Sequence, residues 1–264
     1  MAAIPNDIPL RDRLIFALDV DTPEEARSWV KLVEGQVGFY KIGLELFLAG
    51  GFDMVEWIAA RGHKIFLDLK FFDVPRTVAR AVRQLQGRGI EFTTVHGDSS
   101  IVKAAVDAAA CAREGPKVLA VTVLTSLSDE DMLEFGFKGA LDELVYKRAK
   151  SALSLGCDGV VASGLEAAML RKRLGWNFLI VTPGIRPENS TRDDQRRVVT
   201  AKYAMANGAD HIVIGRPIRD AKDPEKTVLM MQDDIQKGLA SRVQRLIKQN
   251  LAGTETERQE RDHA

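Results

Sequence analysis

The sequence predicts a single (β/α)8 barrel of the TIM type, and three observations carry that reading. Short apolar runs bounded by turn residues alternate with amphipathic stretches along the chain. Eight such runs, each followed by a helical pattern, occupy about 240 residues, which is the size and count of such a barrel. Polar residues gather at the C-terminal ends of the runs, the face on which barrels build their sites. A doubly wound sheet is the runner-up, but nothing marks a strand-order reversal and no GxGxxG follows the first run.

The elements follow in order. Leu14–Asp19 is a strand, and Pro23–Glu34 the helix behind it. The second strand, Gly38–Lys41, lies in an apolar run ending in lysine, and Met54–Arg61 is helical. The third, Ile65–Lys70, reads as buried on both faces, and Pro75 and Thr77 open a pattern that becomes the helix Val78–Gln86. Phe92–His96 and Ser100–Arg113 form the fourth pair. Val118–Thr122 is followed by Leu124–Gly139, which lacks a clear element and has the length of a lid, and then by the helix Leu141–Leu155. Gly159–Ala162 pairs with Leu165–Leu174, and Phe178–Thr182 with Arg197–Asn207. His211–Ile214 precedes a last helix over about Pro224–Asn250. One domain therefore covers residues 1–251. The charged tail 252–264, AGTETERQERDHA, has no apolar periodicity and is expected to be disordered.

Composition narrows the function classes. The 264 residues carry 37 basic and 37 acidic side chains, and this neutral balance argues against nucleic acid as a partner. Cys111 and Cys157 are far apart and in no metal spacing, so they read as reduced packing residues. The N-terminus has no secretory pattern, and no apolar run approaches the roughly 20 residues of a membrane span. A cytoplasmic protein with no membrane contact is expected.

The segment FLDLKFFDVPRTV, residues 66–78, concentrates the chemistry. Asp68 and Lys70 are two apart, so on a strand they share a face. Asp73 follows three residues later, and Lys41 ends the preceding strand. Lys41, Asp68, Lys70 and Asp73 sum to zero charge, which lets all four stay ionised in a partly dry site. A structural ion pair is the plain alternative for the Asp-x-Lys alone. Asp19, His96, Thr122, Thr125, Ser126, Ser163 and Gly164 also fall at or after strand ends. His96 reads as a hydrogen-bonded core histidine and Ser163 as a turn residue. TPGIRP at 182–187 and IGRPIRD at 214–220 put glycine and arginine just past the last two strands, where barrels hold a substrate phosphate. Otherwise Arg186 and Arg216 are solvated, or pair with acids such as Asp193, Asp194 or Asp220.

The stretches ALDV at 17–20, YKIG at 40–43, LDLKFFDVPRTV at 67–78, VTVLTS at 121–126, DGVV at 158–161, VTPGIRP at 181–187, DQRR at 194–197 and IGRPI at 214–218 resemble, in order and spacing, the orotidine 5′-phosphate decarboxylase family. The resemblance spans about residues 11–236. It implies loss of carbon dioxide from orotidine 5′-phosphate to give UMP, a step of pyrimidine biosynthesis, with no metal and no cofactor. Lys70 would be the proton donor, Asp68 would face the substrate carboxylate, and Lys41 would contact ribose and Asp68. Asp73 would reach the neighbouring subunit's site, which implies a homodimer with shared active sites. Asp19 and the partner chain's Thr77 would contact ribose, and Ser126 the pyrimidine. Gln195, Gly215 and Arg216 would hold the phosphate, with Arg186 alongside. The family segment usually reads close to DLKxHDIPNT. Phe72 and Arg76 depart from it, which bears on this loop and the adjoining subunit contact. Related sugar-phosphate barrels use an Asp-x-Lys-x-x-Asp segment with a metal, and a non-catalytic phosphometabolite binder is a further alternative. Lys41 and DQRR favour the decarboxylase.

Overall fold

All eight predicted strands form, and they close into one parallel ring in sequence order. The computed structural model describes residues 8–262, apart from 97, 112, 128, 135 and 188–196, and for Asp129 and 249–262 the backbone alone. The strands are β1 (Leu14–Ala17), β2 (Phe39–Gly43), β3 (Lys64–Phe71), β4 (Ile90–Val95), β5 (Lys117–Val121), β6 (Gly159–Val161), β7 (Leu179–Thr182) and β8 (His211–Ile214). Ring closure pairs Leu14 with Ile212 and Phe16 with Ile214. The helices are α1 (Leu10–Arg13), α2 (Pro23–Val33), α3 (Leu44–Ala59), α4 (Pro75–Arg83), α5 (Ser99–Ala110), α6 (Asp129–Glu134), α7 (Leu141–Ser154), α8 (Ala167–Leu174), α9 (Ala201–Ala206), α10 (Arg216–Arg219) and α11 (Pro224–Asp262).

The alternation of the strands divides the core. Inward residues Ile15, Phe39, Phe66, Phe92, Leu119, Val181 and Val213 fill the ring. Phe92 lies 5.0 Å from Phe39 and 6.0 Å from Phe66, centroid to centroid. Outward residues such as Phe16, Ile42 and Leu67 pack under α2, α3, α9 and α11, while Val95, Val118 and Ile180 pack under α4, α5, α7 and α8. Each such fully buried large side chain contributes roughly 1.5–3 kcal/mol. Burial on both faces explains why the strands read as continuous apolar runs.

Four local expectations change. α3 begins at Leu44, not Met54, because helical turns also form before Gly50-Gly51; Gly51, at φ 53°, breaks the run. α6 occupies part of the stretch expected to be a plain loop. Helix α9 starts after Thr200, whose hydroxyl caps it by accepting from the Tyr203 N–H at 3.1 Å. Arg197, expected on that helix, instead lies buried at the barrel mouth. Helix α11 runs to Asp262, through most of the tail expected to be disordered. Glu, Gln and Arg favour helix without needing an apolar stripe.

Candidate active site

The C-terminal ends of the strands enclose a cleft of about 250 Å³. Eight of the predicted residues line it: Asp19, Lys41, Asp68, Lys70, Ser126, Arg186, Gly215 and Arg216. Ala17, Phe66, Val121, Val161 and Val213 give it an apolar floor, the top of the packed interior. Gln195 lies outside the described residues. Asp73 and Thr77 are exposed and do not line the cleft of their own chain.

The charges form a chain. Lys70 Nζ donates to Asp68 Oδ2 at 2.8 Å, and Lys41 Nζ lies 3.9 Å from the same oxygen. Lys41 Nζ also donates to Asp19 Oδ1 at 2.6 Å. Gly43 leaves room for that pair, since a Cβ there would meet Lys41 Nζ at 3.1 Å and Asp19 Oδ1 at 3.3 Å. Burial alone raises the Asp68 pKa. The charges of Lys41 and Lys70, with hydrogen bonds from Lys70 and Thr94, outweigh it and hold the carboxyl below its ordinary value. Asp68 is thus a carboxylate at neutral pH, shielded from water and held by two cations.

The local backbone that presents this array is not a regular strand. Between the pairs Leu67↔Thr93 and Phe71↔Val95, β3 advances four positions while β4 advances two. The extra residues bulge out at Asp68-Leu69-Lys70, and Lys70 takes φ 48°. A left-handed conformation costs a non-glycine residue roughly 1–2 kcal/mol, so neighbouring contacts must hold it. Thr94 of β4 supplies them: its hydroxyl accepts from the Lys70 N–H at 2.9 Å and donates to Asp68 Oδ1 at 2.8 Å. The sequence reading missed Thr94. The visible signal was the Thr93-Thr94 pair inside an otherwise apolar strand. Thr93 turns to Leu67 O, at 3.2 Å.

The other end of the cleft is built by the loops after β7 and β8, with Pro183, Gly184, Arg186, Gly215 and Arg216. The loop after β7 folds back on itself: Ile185 bridges Val199, the Arg186 N–H donates to Val199 O at 3.0 Å, and the Val199 N–H donates to Gly184 O at 3.2 Å. His96, expected in the core, is only half-buried; its ring meets the exposed Phe72 edge-on at 5.7 Å, away from the cleft. Burial, then the positive charges of Arg148 and Lys70, lower its pKa.

Comparison with known proteins places the chain in a known group. The family model described as "Orotidine 5'-phosphate decarboxylase / HUMPS family" matches residues 12–231. An orotidine 5′-phosphate decarboxylase of Methylococcus capsulatus is 51% identical over 230 residues, covering 86% of this chain and 93% of that protein. One of Xylella fastidiosa is 43% identical over 237 residues, covering 89% and 96%. The crystal structure of orotidine 5′-phosphate decarboxylase from Lactobacillus acidophilus superposes with a TM-score of 0.75 at 38% identity, over 85% of this chain and 99% of that one. On these matches, which cover the barrel from end to end, the chain belongs to the orotidine 5′-phosphate decarboxylase / HUMPS family.

Proposed function

We infer that the cleft decarboxylates orotidine 5′-phosphate to UMP and carbon dioxide, the activity for which the relatives are named, and that the chain serves pyrimidine biosynthesis. The observation that carries this reading is the Asp68 carboxylate, 12% exposed and held between Lys41 and Lys70. Decarboxylation leaves an anion on a ring carbon with no conventional electron sink, so a fixed positive charge must stabilise it. Lys70 supplies that charge and then the proton that replaces carbon dioxide. Asp68 keeps the Lys70 ammonium oriented and faces the departing carboxylate. Asp19 and Lys41 take the ribose, Ser126 the pyrimidine, and Arg186, Gln195, Gly215 and Arg216 the phosphate. No metal or organic cofactor takes part in this scheme.

The site is completed by a second copy of the chain. Asp73 lies at the start of the β3–α4 connection, with Phe72 at 69% and Val74 at 64% exposure on either side of it. Large apolar side chains flanking an exposed carboxylate fit a two-fold contact that carries Asp73 and Thr77 into the partner's cleft. We place the protein in the cytoplasm, in keeping with its free cysteines, Cys111 and Cys157. Among the described residues no helix is long and apolar enough to cross a membrane.

The test is turnover of orotidine 5′-phosphate by the purified protein, followed by the fall in ultraviolet absorbance, with and without a chelator. Turnover unaffected by the chelator is expected. Loss of activity on chelation points instead to a metal-dependent sugar-phosphate enzyme, and no turnover by folded protein overturns the reading.

A further inference from the structure

Arg197 does not touch the cleft, yet it ties together three of the loops that form its rim. Its side chain is nearly buried, at 10% exposure. Nη1 pairs with Glu166 Oε1, and Nη2 donates to Leu124 O at 2.9 Å and Val123 O at 3.3 Å. Glu166 is itself buried, and its Oε2 accepts from the Ser163 N–H at 2.7 Å. Ser163 Oγ returns a hydrogen bond to Arg197 O at 3.4 Å. The loops after β5, β6 and β7 are therefore joined through one guanidinium and one carboxylate.

What each tie leads to gives the arrangement a function. On one side, Val123 and Leu124 lead directly into Thr125 and Ser126, which line the cleft. On the other, Val199 lies two residues beyond Arg197 and is bridged to Ile185, between the cleft-lining Gly184 and Arg186. Gly164 packs so closely beneath Val199 that a Cβ there would meet Val199 Cγ2 at 2.5 Å. A planar fork can hold a carboxylate and two carbonyls in fixed directions at once, whereas a lysine ammonium is a point charge on a flexible stem.

We propose that Glu166 and Arg197 are positioning residues that couple the phosphate end of the cleft to the loop of Thr125 and Ser126. The inference rests on the decarboxylase reading above. An anion held beside Gly184, Arg186 and Arg216 fixes the Ile185–Val199 ladder. Arg197 then fixes the carbonyls of Val123 and Leu124, and with them the loop that meets the pyrimidine. Binding energy from the remote phosphate is thereby expressed in the rate rather than only in affinity.

The experiment compares orotidine 5′-phosphate with orotidine, which lacks the phosphate, in wild type, Arg197→Lys, Glu166→Gln and Arg216→Ala. Arg197→Lys keeps the charge but loses the fork. Its kcat/KM on the phosphorylated substrate should fall about tenfold or more, chiefly in kcat, while kcat/KM on orotidine changes by less than about threefold. Glu166→Gln keeps the shape but has one acceptor oxygen for the two donors, Arg197 Nη1 and the Ser163 N–H, so it should show the same substrate pattern, and it carries the test if Arg197→Lys does not fold. A merely structural role predicts equal losses on both substrates; that result, or no loss on either, overturns the proposal. Arg216→Ala is the reference for direct phosphate contact. If it too fails to discriminate, the phosphate assignment itself is wrong and the coupling falls with it; if it alone discriminates, the phosphate assignment stands and the coupling does not.

Discussion

At the scale of single residues, the proposed chemistry asks that Lys70 be held in a conformation it would not choose. Its backbone, at φ 48°, is secured by Thr94, and its ammonium by Asp68. Lys70→Ala removes both the fixed charge and the proposed proton donor. We expect turnover to fall by at least the 10²–10⁴-fold typical of general acid catalysis, in a protein whose circular dichroism is unchanged. Turnover within tenfold of wild type would contradict the assignment. Thr94→Val keeps the shape and removes the hydroxyl, leaving Asp68 Oδ1 and the Lys70 N–H short of a partner. A loss of about 1–3 kcal/mol in stability and a fall in kcat of about tenfold are expected, with Thr94→Ser restoring most of both. Equal kcat in the valine and serine variants would show that the hydroxyl does not position the array.

The elements show how much of this was legible in the sequence. The strands were readable because each has a stretch buried on both faces and so shows a short apolar run; His211–Ile214 was bounded to the residue. Lys41, Asp68 and Lys70 were readable because charged residues are conspicuous at the ends of such runs. The β3 bulge was not readable, because no periodicity announces residues inserted against a neighbouring strand. Arg197 was misread as helical because its neighbours fit a helical period, while the Thr200 cap that ends the loop depends on local geometry. Strand β8 also carries a pH dependence. Burial draws the His211 pKa down to about 4 from 6.5, against the hydrogen bond to Asp12 O, which Nδ1 makes at 2.8 Å. A neutral ring donates to that carbonyl through Nδ1–H. Its other face lies against Phe39 and Phe92, with Asp210, Arg13 and Lys64 the charges around it. Because the folded value is depressed, the unfolded chain takes up the proton first as pH falls. The stability tied to His211 is therefore complete above about 6.5 and is lost progressively down to about 4. Urea unfolding at pH 7 and pH 4.5 should show wild type losing roughly 2–3 kcal/mol more than His211→Gln over that interval. Equal losses would place the titration elsewhere.

At the scale of the whole molecule, the proposed array needs a second copy of the chain. Lys41, Asp68 and Lys70 meet in one cleft, while Asp73 and Thr77 face outward beside Phe72 and Val74. The central claim is that a four-member Lys/Asp array decarboxylates the substrate and that Asp73 joins it from the partner. Mixing Lys70→Ala with Asp73→Ala tests this most directly. Each parent is expected to be nearly inactive. In a mixed dimer one site carries both lesions and the other carries neither. After verified subunit exchange with one chain tagged, about half of the dimers are mixed, each with one intact site, so roughly a quarter of wild-type activity should return. Mixed dimers no more active than the sum of their parents, or an Asp73→Ala parent as active as wild type, would contradict the account.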